Sequence, residues 1–406
     1  MRTRSRRFRT GGTSSFPRPI RPPPAPPGPE KSSRVRSRAS PVSALLPAFP
    51  WDRLQPYKET AAAHPDGLVD LSVGTPVDPV PSLVREALTA AADSPGYPTV
   101  WGTAALRAAI LGWAARRLGA EGLTERNVLP VVGSKELVAW LPTQLGLGPG
   151  DTVAFPRLAY PTYEVGARLA RAEPAVYDDP VTDLDPGPLK LLWLNSPSNP
   201  TGRVLGKDEL ARIVAWAREH DVLVVSDECY LELGWEADPV SVLHPEVCGG
   251  SHEGLVAVHS LSKRSNLAGY RSAFILGDAA VLGELLQIRK HGGMMTPAPV
   301  QAATVAALGD DAHVAEQRER YAARRTALRE ALLAHGFRVE HSEASLYLWA
   351  TRDEPCWDTV AHLASLGIAV APGDFYGPAG DRFVRIAFTA TDERVAAAVA
   401  RLTATA

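Results

Sequence analysis

Cysteine is scarce in this sequence: three among 406 residues, at Cys229, Cys248 and Cys356. An odd number without C-x-x-C spacing argues against a disulfide framework and a cysteine zinc site, and fits a reducing cytoplasm. No apolar run approaches the roughly 20 residues needed to span a bilayer. The basic N-terminus lacks the apolar core of a secretory signal. The ten histidines show no helical H-x-x-x-H pattern, so no catalytic metal is expected. Net charge is small as well, −2, and suggests neither a nucleic-acid nor a membrane partner.

What is present is unevenly spread. Residues 1–45 hold ten arginines and Lys31 against one acid, Glu30, with a proline run over 17–29. Such a composition cannot bury enough apolar surface to offset the entropy of ordering, so 1–44 reads as a disordered basic extension. A nucleic-acid arm or an organelle transit peptide is the functional alternative to a dispensable tail or an over-long start. The rest is acidic. Hydrophobic residues at 45% and charged residues at 22% are ordinary for a globular chain, and the length favours two domains.

From Leu68 onward short apolar runs alternate with amphipathic segments, the pattern of an α/β domain with a largely parallel sheet. Strands are expected over 128–132, 152–155, 189–194, 222–226, 255–259 and 273–276. Thr103 can cap a helix that runs to Leu118 and stops at Gly119. Leu210, Ile213, Val214 and Ala217 have helical spacing within 207–220. A long charged helix over 313–335 and short strands over 337–340, 346–349 and 383–388 suggest a smaller α+β domain. The expected division is therefore 45–72 joining the small domain, 73–296 as the large domain and 297–406 as the small one.

Three expected strands run directly into unusual polar sequences: Asn195-Ser-Pro-Ser-Asn-Pro-Thr-Gly202, Asp227-Glu-Cys-Tyr230 and Ser260-Leu-Ser-Lys-Arg264. In open α/β sheets ligands bind beyond the carboxyl ends of the strands. These motifs, in this order and with Arg271 eight positions after Lys263, resemble the class I aminotransferases of fold type I, from about Leu45 to the end of the chain. The resemblance implies a large, mostly parallel-sheet α/β domain, a smaller α+β domain built from the N-terminal segment and the C-terminal part, and pyridoxal 5′-phosphate as cofactor.

It also implies roles. Lys263 matches the lysine that forms the Schiff base and moves the proton, a task for an amine whose pKa burial can depress. Asp227 matches the carboxylate beside the pyridine nitrogen. Tyr230 and Asn199 match the partners of the ring's phenolic oxygen, and Tyr160 the aromatic that stacks on the ring. Ser134 and Lys135, in Gly133-Ser-Lys-Glu136 at a helix start, match one half of the phosphate cup. Ser260, Ser262 and Arg271 match the other half. Tyr97 matches a tyrosine that reaches the neighbouring subunit's phosphate, which implies a homodimer with shared sites. Arg385 and the backbone at Gly74 match the grip on the substrate α-carboxylate. Plainer readings stand beside these: a turn residue for Asn199, a core tyrosine for Tyr160, a surface strand arginine for Arg385. Arg289, Lys290 and His291 could meet a distal carboxylate, although the cationic end of a helix is the simpler reading.

Finer motifs are similar to those of the succinyldiaminopimelate aminotransferases: the run from Ser262 to Arg271, Ala344-Ser-Leu-Tyr-Leu-Trp-Ala350, Arg352-Asp-Glu-Pro-Cys356 and Ala371-Pro-Gly-Asp-Phe-Tyr-Gly-Pro378. That likeness implies amino transfer from glutamate to N-succinyl-2-amino-6-oxopimelate in diaminopimelate and lysine synthesis. Aminotransfer to another acceptor, a C-S β-lyase or a cofactor-binding transcription regulator are the alternatives. Residues 1–45 lack the helical periodicity that a DNA-binding domain would need.

Overall fold

A computed structural model describes residues 42–404; the segment 1–41, which carries nearly all of the expected disordered extension, lies outside the described residues. Contacts divide the chain after Ala44, and the body described below begins at Leu45.

After a short strand β1 (Val69–Asp70), seven strands form the main sheet: β2 (Val128–Val132), β3 (Thr152–Pro156), β4 (Glu173–Tyr177), β5 (Leu189–Asn195), β6 (Leu223–Asp227), β7 (Leu255–Ser260) and β8 (Ser272–Gly277). Their order is β2-β8-β7-β6-β5-β3-β4. Only β8 runs antiparallel to its neighbours. A parallel sheet is covered on both faces, so its strands are near-continuous apolar runs. Leu191 to Leu194 of β5 are accordingly all buried. Alternate residues divide between two cores. Leu192, Val224, Ala257 and Phe274 pack with Ile110 and Trp113 on one face; Trp193, Val225, Val256 and Ile275 pack with Leu137 and Tyr163 on the other.

The expected helix at 104–118 forms as Ala104–Leu118, with Thr103 Oγ accepting from Leu106 N–H at 3.1 Å and Gly119 in the left-handed region at φ 63°. Leu106, Ile110, Trp113, Ala114 and Leu118 make its buried stripe. Strand β4 has no counterpart among the expected elements. It lies at the sheet edge, half exposed, where Pro174 can sit because no central ladder needs its missing N–H.

Downstream lie β9 (Arg338–Glu340), β10 (Tyr347–Thr351), β11 (Ile368–Ala369), β12 (Ala371–Pro372) and β13 (Val384–Ala387). The antiparallel order β12-β13-β10-β9 makes a second sheet, and β1 pairs in parallel with β11. Leu54, Val69 and Leu71 from the N-terminal segment share one core with Leu348, Ile386 and Phe388. That sharing brings the backbone of 72–74 against the end of β13. No helix among the described residues is long and apolar enough to cross a membrane.

Candidate active site

Strand register sets the floor of a cleft of about 510 Å³. Asn195 of β5 is level with Asp227 of β6, and Asp227 with Val258 of β7, so three carboxyl ends open side by side. Ser260 ends β7 and caps the one-turn helix Leu261–Arg264: its Oγ accepts from Ser262 N–H at 3.2 Å and meets Ser262 Oγ at 3.0 Å. Lys263 projects from that turn into the cleft, where Nζ donates to the Gly74 carbonyl. Burial, partly opposed by the Tyr347 phenol, depresses the Lys263 amine below its ordinary value, and the Arg385 guanidinium adds to the lowering.

Asp227 lies at 7% exposure. It accepts from Tyr163 O–H at 2.8 Å and from Cys229 N–H at 3.2 Å, and has no cation in ion-pair range among the described residues. Burial therefore raises its carboxyl, although the Cys229 and Tyr163 bonds offset part of the rise. An added positive charge here would be favoured.

The antiparallel pair β2–β8 aligns Val132 with Ser272, which places Gly133 beside Arg271. The contact needs glycine twice over. Gly133 has φ +80°, and a Cβ there would stand 2.1 Å from Arg271 Nη2. Gly133 precedes the helix Ser134–Gln144, whose first N–H groups lack intrahelical partners. Ser134, Lys135, Ser260, Ser262 and Arg271 all border the cleft, and together they form a cup of anion-binding donors.

The opposite wall comes from the second sheet. Arg385 on β13 is 4% exposed, donates from Nη1 to Asn199 Oδ1 and from Nη2 to the Ser72 carbonyl, both at 2.8 Å, and leaves Nε without a partner. Its guanidinium lies 4.0 Å from the Tyr347 ring centre and 4.9 Å from that of Tyr376. No acid pairs with it among the described residues. Asn199 is held in turn by its N–H to Asn195 Oδ1 at 2.8 Å.

Tyr160 lines the cleft with its ring edge-on to Tyr163 at 5.9 Å, and burial pushes its phenol up to about 12. Tyr230 O–H meets Tyr347 O–H at 2.9 Å. Of the expected site residues only Tyr97 stands apart, 97% exposed and outside the cleft. Arg289 is wholly buried and bridges Glu136 at 2.8 Å, so it braces a helix and does not meet the cleft.

Sequence reasoning passed over Tyr163 and Tyr347. Tyr163 stands in the first turn of the helix Thr162–Ala170, within the same Tyr160-Pro-Thr-Tyr163 run, and that proximity in sequence is the available signal. Tyr347 follows Leu346 at the start of β10 and looks like any core strand tyrosine. In space it touches Tyr230, Arg385 and Gly74, where a Cβ would fall 2.3 Å from its hydroxyl. Burial works to raise this phenol, but Arg385 and Lys263 outweigh it and set Tyr347 below the ordinary tyrosine value.

A family model described as aminotransferase class I and II matches residues 66–402. A probable aminotransferase of Mycobacterium tuberculosis is 65% identical over 362 residues, 89% of this chain and 86% of that one. The 4-dedimethylamino-4-oxo-anhydrotetracycline transaminase of Streptomyces rimosus is 64% identical over 358 residues, 88% of this chain and 99% of that one. Among solved structures, a probable N-succinyldiaminopimelate aminotransferase from Thermus thermophilus matches with a TM-score of 0.79 at 29% identity, covering 88% of this chain and 100% of that one. Enzymes of this family and fold depend on pyridoxal phosphate. The cleft suits that group: an enclosed amine at Lys263, a buried acid without a counter-charge at Asp227, and an anion cup around Gly133 that a Cβ would fill.

Proposed function

The chain belongs to the class I and II aminotransferases, and on that premise we propose that it moves the amino group of glutamate to N-succinyl-2-amino-6-oxopimelate, reversibly, as a cytoplasmic homodimer serving diaminopimelate and lysine synthesis. The observation that carries the amino-acid half is Arg385, a buried guanidinium with no acid paired to it among the described residues, lining the same cleft as the amine of Lys263. A carboxylate there gains a charge-assisted, bidentate contact against only neutral protein acceptors, the Asn199 amide oxygen and the Ser72 carbonyl. The finer acceptor reading is supported by the motifs around Ser262, Ala344 and Ala371 and by the Thermus neighbour.

In this reading Lys263 Nζ would be the attachment point of pyridoxal phosphate, and Arg271, Ser134, Lys135, Ser260 and Ser262 would hold its phosphate. When bound, the cofactor supplies an electron sink conjugated to the substrate Cα. Asp227 would keep the ring nitrogen protonated, with Tyr163 holding the carboxylate in place. Asn199 and Tyr230 would serve the phenolic oxygen, and Tyr160 would cover the ring face. Arg385 and the Gly74 backbone orient the substrate so that its Cα proton lies within reach of Lys263 Nζ. The amine, depressed by burial, is the base placed to accept that proton. In the proposed dimer Tyr97, exposed in one chain, would reach the phosphate held by the partner subunit.

A second reading has its own support. The Streptomyces relative is 64% identical along 99% of its length, and Phe49, Trp51 and Val73 make the mouth of this cleft apolar. The acceptor would then be a ketone on a polycyclic ring. An acceptor panel with glutamate as donor separates the readings. The expected order places the succinylated oxopimelate above its acetylated analogue, oxaloacetate, aromatic 2-oxoacids and a tetracyclic ketone. Preference for the tetracyclic ketone selects the second reading, and preference for oxaloacetate overturns both. Lys263→Ala is expected to abolish the change in cofactor absorbance on adding glutamate; normal turnover by that variant would overturn the site itself.

A further inference from the structure

Behind the cleft, across the sheet, lies a second cavity of about 10 Å³. That is the room one water molecule requires. Four residues that line it each bury a polar atom with no hydrogen-bond partner: Trp113 Nε1, Glu228 Oε2, His259 Nε2 and Arg264 Nη2, the last standing 3.6 Å from Asp311 Oδ1. They are close together. His259 Nε2 is 3.3 Å from Glu228 Oε2, and the Trp113 ring stands edge-on to the imidazole at 4.9 Å. Strand alternation explains the grouping, since Glu228 and His259 point away from the face that Asp227 serves and toward the helix Ala104–Leu118 that carries Trp113.

We propose that this cavity binds one ordered water molecule bridging Trp113 Nε1, Glu228 Oε2 and His259 Nε2, and that through it these three act as positioning residues for Asp227 and Lys263.

The donor set identifies the ligand. An indole N–H only donates, so a metal cation gains nothing from it; the Arg264 guanidinium on the cavity wall is matched by Glu232 and Asp311, and an ionised Glu228 only accepts, so an anion gains little there. Water accepts from the indole, donates to Glu228 and bonds His259 in either tautomer. Three such bonds are the usual complement of a buried water. The charge that Arg264 brings to the cavity wall is engaged by Glu232. Burial raises the Glu228 carboxyl to about 7 and, with Arg264 nearby, lowers His259 to about 3.

The link to the reaction is spatial. Glu228 follows Asp227 directly, and its backbone N–H donates to the Val258 carbonyl at 2.9 Å while Oε1 accepts from Val242 N–H at 2.7 Å. His259 precedes Ser260, the cap of the turn that bears Lys263. Cys229 and Ser260 border both the cleft and this cavity. A water held here ties one helix to the ends of β6 and β7, and so fixes the spacing between the acid and the amine.

A high-resolution crystal structure of the holoenzyme is expected to show water within hydrogen-bond distance of all three atoms; a direct Glu228–His259 bond with no density, or a metal ion, overturns the site. Trp113→Phe should lose the water and move the pH at which the cofactor absorbance titrates by about several tenths of a pH unit. Lower melting temperature with an unmoved titration would mean packing alone and overturns the positioning role. Glu228→Gln retains an acceptor oxygen and should keep both water and titration, whereas Glu228→Leu should lose both. This pair decides the matter should Trp113→Phe not fold, and equal behaviour of the two overturns the proposal. The crystallographic readout is repeated on apoenzyme, so the water site is judged apart from the reading of the cleft.

Discussion

Arg385 and Arg324 are buried alike, each 4% exposed, and their surroundings treat them oppositely. Arg324, on the helix Ala312–Ala334, grips Asp78 with two bonds of 2.7 Å and reaches Asp392 through Nε at 2.6 Å. Gln317 donates to the same Asp78 carboxylate at 2.7 Å. Its charge is spent inside the protein. Arg385 is held by an amide oxygen, a backbone carbonyl and aromatic faces, none of which neutralises it. Burying a cation without an anion is costly, so such an arrangement persists where a ligand brings the anion. Burial and hydrogen bonding are similar at the two sites; pairing is what separates structure from function.

Substitution tests that separation. Arg385→Met should lower kcat/KM for glutamate by roughly a thousandfold, about 4 kcal/mol, because the substrate carboxylate then enters a site without its counter-charge. Thermal stability should hold or rise, since an uncompensated buried charge is removed. Steady-state kinetics with a melting curve checks both, and activity within tenfold of the wild type would break the comparison. Arg324→Met should do the reverse. It strands Asp78 in a site where the side chain is 9% exposed, at a cost of about 3 kcal/mol in unfolding free energy, while kcat at low temperature stays within a few-fold. Chemical denaturation measures the loss; an Arg324 variant that is stable but inactive would show pairing to be a poor guide.

The same contrast explains what the sequence made legible. Lys263, Asp227, Asn199, Tyr230 and the Ser260–Ser262 pair lie in contiguous motifs at strand ends, where local order already implies spatial convergence, and the structure brings them into one cleft. Arg385 could be marked through the family resemblance of the run from Pro372 to Phe388; the strand pattern alone left it a surface arginine. Tyr347 could not, because its place depends on the pairing of β10 with β13 and on the N-terminal segment folding against both. Trp51 carries no periodic signal and reaches the cleft only through tertiary packing. The long helices were legible from spacing and caps, whereas β1, β4, β11 and β12 are short or half-exposed and present too few residues for a period to emerge.

The contrast extends to negative charge at Asp227 and Glu228, adjacent in sequence and buried on opposite faces of the sheet. Glu228 faces His259 on β7 and Arg264 on the turn after it, while Arg264 is already engaged by Glu232. Its carboxyl is raised from an ordinary 4.5 to about 7 by burial, so the folded chain holds a proton that the unfolded chain has released. Its contribution to stability is therefore full below about pH 4.5 and lost as pH rises through about 7. His259, lowered by burial from 6.5 to about 3, slopes the other way: its contribution is lost as pH falls below 6.5. The two offset one another between pH 4.5 and 6.5, and the Glu228 loss is uncovered above that. Glu228→Gln removes one slope only. The variant should match the wild type near pH 4 and exceed it at pH 8 by an amount on the order of 3 kcal/mol, read from urea unfolding of the apoenzyme. Parallel stability curves would show that Glu228 ionises freely in the fold, and that its neighbour Asp227, poised toward the cleft, is the only acid here whose burial matters.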